Sequence, residues 1–268
     1  MVDTGRLMRR VALITGGGGE IGSAISLRFA AEGAEVAVAD IDAAKSKATV
    51  RAIVESGGRA CALQVDVADE SSARAAIAKT VEAFGRLTTL VNVAATETPD
   101  KTVEMLSLDE WNRAIGVNLT GAFLMCKYAI PQMRAAGGGS IINIASQLGH
   151  LGVPLRSPYC TTKAALLHFT RILAMDHAVD RIRANTISPG FILTERSSRR
   201  SGGKQHARVK MGPLHLLNRP GDTTDIAAGA AYLASDDAAF VTATDLLIDG
   251  GYVAFKGRLG ADGLPALP

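Results

Sequence analysis

The 268-residue sequence predicts an α/β fold: one doubly wound domain in which a seven-stranded parallel sheet is covered by helices on both faces. Two observations predict it. Short apolar runs without polar–apolar alternation recur along the chain, as in strands buried on both faces. Each run is followed by apolar residues at helical spacing, and no composition break or linker divides the chain. A hydrophobic content of 47% with 21% charged residues suits a soluble chain with a large core.

Residues 10–14 read as the first strand, the glycines after it as a turn, and Ile21, Ala24, Ile25, Leu27, Phe29 and Ala30 as the apolar face of the first helix. Residues 36–39 form a second strand, followed by a helix to about Glu55 that Gly57 and Gly58 close. Residues 60–65 are strand three, 70–84 a helix stopped by Gly85, and 87–91 strand four. A long helix spans 108–134, bent near 116–121, before strand five at 140–145. A helix over 159–179 leads to strand six at 182–187. Residues 195–218 read as a loop with short helical pieces, 223–234 as a helix and 246–248 as strand seven. The Gly- and Pro-rich tail from Lys256 offers no core face, and is expected to be disordered or to dock on a neighbouring subunit.

Several function classes are disfavoured. No apolar run reaches the roughly 18 residues of a membrane span, and the residues before strand one carry Arg6, Arg9 and Arg10 without an apolar stretch, so neither membrane nor secretory signal is expected. Cys61, Cys126 and Cys160 are widely spaced and fit reduced thiols in a cytoplasmic protein, not a disulfide framework or zinc site. The five histidines lack ligand spacing, so no metal is expected. A net charge of +3 gives no reason to expect a nucleic-acid partner. The charge is uneven: residues 195–219 hold seven Lys/Arg against one acid.

Tyr159 and Lys163 point to chemistry. At i and i+4 on a helix they share a face. An ammonium beside a phenol favours the phenolate, and such a phenol exchanges protons with an alcohol or ketone near neutral pH. Ser146 lies thirteen residues earlier, at the end of strand five.

The segment Thr15 to Gly22, between strand one and the first helix, contains Gly17, Gly19 and Gly22 in the spacing of a dinucleotide-binding turn. Backbone N–H groups and the helix N-terminus would face a pyrophosphate. Asp40 follows eighteen residues after Gly22, at the end of strand two. There a carboxylate accepts hydrogen bonds from ribose hydroxyls and repels a 2′-phosphate, selecting NAD. Capping of the next helix is the competing role for Asp40, and Asp42 also suits it.

With these motifs in order, the chain resembles the short-chain dehydrogenase/reductase family from about Arg10 to Tyr252. The resemblance implies a Rossmann-type sheet in the order 3-2-1-4-5-6-7, with a cofactor half over about 8–145 and a substrate half over about 146–255. It implies a catalytic tetrad of Asn118, Ser146, Tyr159 and Lys163, with NAD as cofactor. Cofactor contacts are implied for Gly16, Gly18, Gly19, Glu20, Ile21, Gly22, Asp40, Ile41, Asp66, Val67, Asn92, Ala94, Tyr159, Lys163, Pro189, Gly190, Ile192 and Thr194. Residues 195–218 correspond to a substrate lid, and the segment 249–251 to the close of the last strand. Two departures stand out: Glu20 replaces a family glycine, and Asn92-Val93-Ala94-Ala95 stands where the family has Asn-Asn-Ala-Gly. Both are expected to tune cofactor affinity.

The implied function is hydride transfer between NAD and a secondary alcohol or ketone, with cyclic alcohols, diols and hydroxy acids as candidate small-molecule substrates. An NADPH-dependent ketoreductase and a non-catalytic nucleotide-binding scaffold are the alternatives. Ser146, Leu148, His150, Arg156 and Tyr159 are candidate substrate-lining residues. The basic lid reads either as an anion clamp or as a solvated loop. Helices 108–134 and 159–179 resemble those that pair subunits in the family, implying a homo-oligomer, a tetramer or a dimer.

Overall fold

Alternate residues of the central strands enter two separate cores. In β1 (Val11–Thr15), Ala12 and Ile14 face one core and Leu13 the other; in β2 (Glu35–Asp40), Val36 and Val38 divide from Ala37 and Ala39 in the same way. Apolar residues are therefore needed at every position, which is why these strands carry no alternation. The computed structural model describes residues 5–255, 257–260 and 265–266.

The remaining strands of the main sheet are β3 (Ala60–Gln64), β4 (Thr89–Asn92), β5 (Gly139–Ile144), β6 (Ile182–Pro189) and β7 (Asp245–Ile248). All pair in parallel in the order β3-β2-β1-β4-β5-β6-β7, a Rossmann-like sheet. The order reverses between β1 and β4, so a crevice opens at their carboxyl ends. Helices α1 (Glu20–Ala31), α2 (Ala43–Glu55) and α9 (Thr223–Ala234) cover one face through Ile25, Phe29, Ile53 and Ile226. Helices α3 (Glu70–Phe84), α5 (Gly121–Ala135) and α6 (Ser157–Asp176) cover the other through Ile77, Met125 and Leu173.

The long helix is interrupted. Helix α4 (Leu108–Ile115), capped by Ser107 with Glu110, passes through a π-helical turn, Gly116–Thr120, into α5. The sequence marks this place with glycines. A Cβ at Gly121 would sit 2.7 Å from Val67, so its absence lets the helix approach the β3 end. By length and composition Leu108–Ala135 is apolar enough to cross a membrane, a property the run-length reading missed, and half of its most apolar window is buried inside the fold.

Helix α6 begins two residues earlier than expected and ends at Asp176, so Tyr159 lies in its first turn. Residues 195–218 contain two real helices, α7 (Glu195–Arg200) and α8 (Lys204–Met211). The tail departs from expectation where it is described. Arg258–Leu259 pairs antiparallel with Pro265–Ala266, and Leu259 is buried. Two-residue strands are too short to show periodicity.

Candidate active site

The glycine segment is shaped by what each Cβ would strike. Gly16 has φ +63°, and a Cβ there would lie 2.9 Å from the Ala94 nitrogen. A Cβ at Gly22 would lie 2.1 Å from the Gly16 carbonyl oxygen, so only glycine lets α1 start against the turn. Thr15 straps the neighbouring loop: its hydroxyl oxygen accepts from the backbone N–H groups of Val93 (3.1 Å) and Ala94 (3.3 Å). Thr15 is absent from the sequence-derived contacts, and only its place after a buried strand hints at the role.

Helix α1 has no side-chain cap, whereas α2, α3 and α4 are capped by Asp42, Asp69 and Ser107. Gly19 at its N-cap position is exposed, and the first-turn N–H groups of Glu20, Ile21 and Gly22 are left to an outside acceptor. Such an end, next to a close backbone turn, fits a bound pyrophosphate. The Glu20 carboxylate does not fill it; it accepts instead from the Glu195 N–H at 2.8 Å.

Asp40 ends β2, and its two oxygens accept from the N–H groups of Gly18 (2.9 Å) and Asp42 (3.0 Å). Cap duty for α2 falls to Asp42, which accepts from Ala44 and Lys45. A carboxylate has about four acceptor positions, so Asp40 keeps capacity for hydroxyl donors. Ile41 beside it is 66% exposed, while Val67 is buried. Asp66 is exposed and accepts from the Ala68 N–H. These residues line the end of the sheet where an adenosine would rest.

Asn92 ends β4 and lines the small cavity at the crevice. Its amide is buried and donates to Asn143 Oδ1 at 2.8 Å, and Asn143 donates in turn to Thr170. The side chain thus ties β4 to β5 and α6.

Four residues meet at the β5–α6 side of the crevice. Ser146 follows β5 and accepts from the Leu148 N–H at 3.1 Å, which leaves its own O–H free to donate. Tyr159 lies half-buried in the first turn of α6, and the Lys163 ammonium is 5.7 Å from its ring centroid. Lys163 Nζ donates to the Ile144 carbonyl at 2.6 Å and is buried. Burial, and then the positive charge of Arg196, lower its pKa to about 8. Asn118 sits in the π-helical turn, where Oδ1 accepts from the Thr96 N–H (2.9 Å) and Nδ2 donates to Thr162 (3.3 Å). Thr15, Asn92, Ala94, Asn118, Ile144 and Lys163 line one small cavity.

Of the other substrate-side candidates, Arg156 stacks on Tyr159, its guanidinium carbon 4.9 Å from the ring centroid. His150 is engaged instead by Asp245, the first residue of β7, at 2.7 Å. Asp245 also accepts from Thr186 and Ser188, so this carboxylate anchors the loop to β6.

The segment after β6 is held from behind. A Cβ at Gly190 would meet the Asp249 backbone at 2.7 Å, Ile192 is buried in the core, and Pro189 closes the β6–β7 register. Thr194 caps α7 in a reciprocal pair with Ser197. His215 is buried beneath: its Nδ1 lies 2.8 Å from the Met211 carbonyl, and its Nε2 accepts from the Phe191 N–H at 3.4 Å. One partner, Met211, is four residues earlier in the same segment, and the other, Phe191, comes from the chain after β6. Among the described residues, three of the six lid cations, Arg196, Arg199 and Arg200, have acidic partners. Arg196 pairs with Glu97 at 3.2 Å and donates to the carbonyls of Ala95 and Thr96, and Arg200 Nη2 reaches both oxygens of Asp100 at 2.7 Å.

Residues 18–253 match a family profile described as enoyl-(acyl carrier protein) reductase. The chain is 41% identical over 250 residues to a 2,5-dichloro-2,5-cyclohexadiene-1,4-diol dehydrogenase of Sphingobium indicum, covering 92% of this chain and 97% of that one. It is 34% identical over 253 residues to a cyclohexanol dehydrogenase of an Acinetobacter species, covering 94% and 98%. A solved 7α-hydroxysteroid dehydrogenase in complex with NADH and 7-oxo glycochenodeoxycholic acid superposes with a TM-score of 0.87 at 32% identity, covering 94% and 97%.

Proposed function

The chain belongs to the short-chain dehydrogenase/reductase family, oxidoreductases acting on CH–OH groups, and from that premise we propose an NAD-dependent dehydrogenase of secondary alcohols with Asn118, Ser146, Tyr159 and Lys163 as its working groups. One observation carries the reading: a buried lysine ammonium held 5.7 Å from the ring centre of a half-buried tyrosine at the sheet's carboxyl edge.

In the oxidative direction the carbinol C–H bond breaks with its electron pair, the C=O bond forms, and Tyr159 takes the hydroxyl proton as phenolate. A bound nicotinamide supplies the acceptor for that hydride. Ser146, whose acceptor side is occupied by Leu148, donates its O–H to the substrate oxygen and steadies charge there. Lys163 places a positive charge 5.7 Å from the Tyr159 ring centre, beside the group that exchanges the proton. Asn118, fixed between Thr96 and Thr162, orders the polar path to Lys163.

The uncapped first-turn N–H groups of α1 would hold the pyrophosphate, and Asp40 the adenosine ribose. Preference for NAD follows from the Asp40 charge, which repels a 2′-phosphate. Cyclic alcohols, diols and hydroxy acids are the candidate substrates, and the named relatives act on a cyclic diol and a cyclic alcohol.

A homotetramer completes the proposal, supported by exposed apolar side chains on α5 and α6: Phe123, Ile172 and Met175. Three free cysteines support a cytoplasmic setting, and burial pushes the Cys126 thiol up to about 12.

The test is a spectrophotometric panel of cyclohexanol, cyclic and linear diols, their ketones and an enoyl thioester, against oxidised and reduced NAD and NADP. NAD-linked oxidation of a secondary alcohol is expected. Turnover of the enoyl thioester alone, or a preference for NADP, overturns the reading.

A further inference from the structure

We propose that the substrate carries a carboxylate, a hydroxy acid whose anionic end is taken by Arg156; the inference rests on the dehydrogenase reading above and names its substrate class.

Arg156 immediately precedes α6, three residues before Tyr159, and its side chain is 15% exposed. The guanidinium lies over the Tyr159 ring at 4.9 Å. Stacking on a ring face leaves the in-plane N–H donors at the guanidinium edge unengaged. Among the described residues its one ion pair is with Asp100 at 3.5 Å, and its Nε is buried without a partner. Asp100 is already engaged by Arg200, which reaches both carboxylate oxygens at 2.7 Å. The Arg156 charge is therefore weakly compensated, and burial together with Arg200 depresses its pKa from the usual arginine value.

The surroundings have the same bias. Lys101 N–H donates to the Leu155 carbonyl at 3.2 Å, which joins the segment after β4 to the turn before α6, and Arg200 joins α7 to the same segment. Four arginines (Arg156, Arg196, Arg199, Arg200) share two acidic partners, Glu97 and Asp100, and the same pieces of chain also carry Lys101, Glu104 and Glu195. Three more buried polar atoms there have no partner: Thr98 Oγ1, Ser157 Oγ and Ser198 Oγ. Arg156 is the buried cation of this wall, while Arg196, Arg199 and Arg200 stand at its exposed rim; a buried cation with an unused donor calls for an oxyanion acceptor. The guanidinium fork matches a carboxylate in particular. Because Arg156 stacks on the proton-transferring ring, the carboxylate lies a few bonds from the carbinol carbon.

The test uses matched pairs: 3-hydroxybutyrate and its methyl ester, and 3-hydroxycyclohexane-1-carboxylate and its methyl ester. Wild type should favour each acid over its ester in kcat/KM by about tenfold or more, the effect of one charge-assisted contact. Arg156→Gln should reduce that ratio by about the same factor, through KM of the acid, while Arg156→Lys restores part of it. The acid should also raise the melting temperature of the cofactor complex, a shift absent with the ester and lost in Arg156→Gln. Equal losses on acid and ester, with NADH binding retained, would make Arg156 a support for Tyr159 and overturn the proposal. Turnover of cyclohexanol and diols but neither acid overturns it while leaving the dehydrogenase reading intact. No turnover of any alcohol removes that reading and this inference with it.

Discussion

The Glu195 N–H donates to the Glu20 carboxylate at 2.8 Å, joining positions 175 residues apart. Glu20 stands where the family has a glycine, in the first turn of the helix that would receive the pyrophosphate. Its carboxylate reaches out of that site to the N-terminus of α7, where a negative charge is favourable. The departure becomes a strap between the glycine segment and the lid.

Removing the strap should loosen the lid. Glu20→Ala is expected to speed amide exchange across residues 195–200 roughly fivefold, about 1 kcal/mol for an exposed charge-assisted contact at a helix terminus. Exchange in α9 should not change. Equal protection in both proteins, followed by mass spectrometry, would remove the coupling.

Tyr159→Phe keeps the ring that Arg156 and Lys163 approach and removes only the oxygen. Its kcat should fall by roughly 10²–10⁴, the span of a lost general acid–base group. NADH binding, read by fluorescence, should stay within about twofold, less than the effect of one net hydrogen bond. Retention of most activity would reassign the proton donor.

Asp40 is both a loop anchor and the proposed cofactor selector. Asp40→Ala should lower kcat/KM for NAD by about tenfold or more, through lost charge-assisted hydrogen bonds, and raise the NADP-to-NAD ratio. Asp40→Asn keeps one acceptor oxygen, enough for either the Gly18 or the Asp42 N–H, and removes the charge, so it disturbs the loop less than alanine does. If the asparagine variant leaves the cofactor ratio unchanged, the electrostatic account fails.

Lys163 gives stability a defined pH slope. Its folded pKa of about 8 lies below the ordinary lysine value of 10.5. Between those values the unfolded chain binds more protons, so stability rises with pH across that window. Lys163→Met removes the titration. The variant's advantage over wild type should be largest at and below pH 8 and shrink towards pH 10.5, by roughly 3 kcal/mol at full shift. Denaturant titrations without cofactor check this, and a constant difference across the window would refute it.

Exposed Phe123 on α5, and Ile172 and Met175 on α6, make a subunit contact the expected fate of that face. Light scattering at micromolar concentration should give the mass of a tetramer. Phe123→Asp with Met175→Asp should reduce that mass without changing the far-ultraviolet spectrum, whereas a wild-type monomer would end the oligomer proposal.

Much of this molecule was legible because its signals are local. Continuous apolar runs mark strands buried on both faces, and the division of Ala12 and Ile14 from Leu13 between two cores is the reason for them. Glycines at 16 and 22 mark a close turn, and the four-residue spacing of Tyr159 and Lys163 marks a shared helix face. What the tertiary structure alone decided are pairings between distant segments. These include Glu20 with Glu195, Arg196 with Glu97, Arg200 with Asp100, His150 with Asp245, and Asn92 with Asn143. A charged side chain on a loop has the same local pattern whether it meets solvent, a counter-charge or a substrate. Only the packing that buries Arg156 against Tyr159 and hands Asp100 to Arg200 tells these cases apart, because desolvation and pairing are properties of the assembled surface.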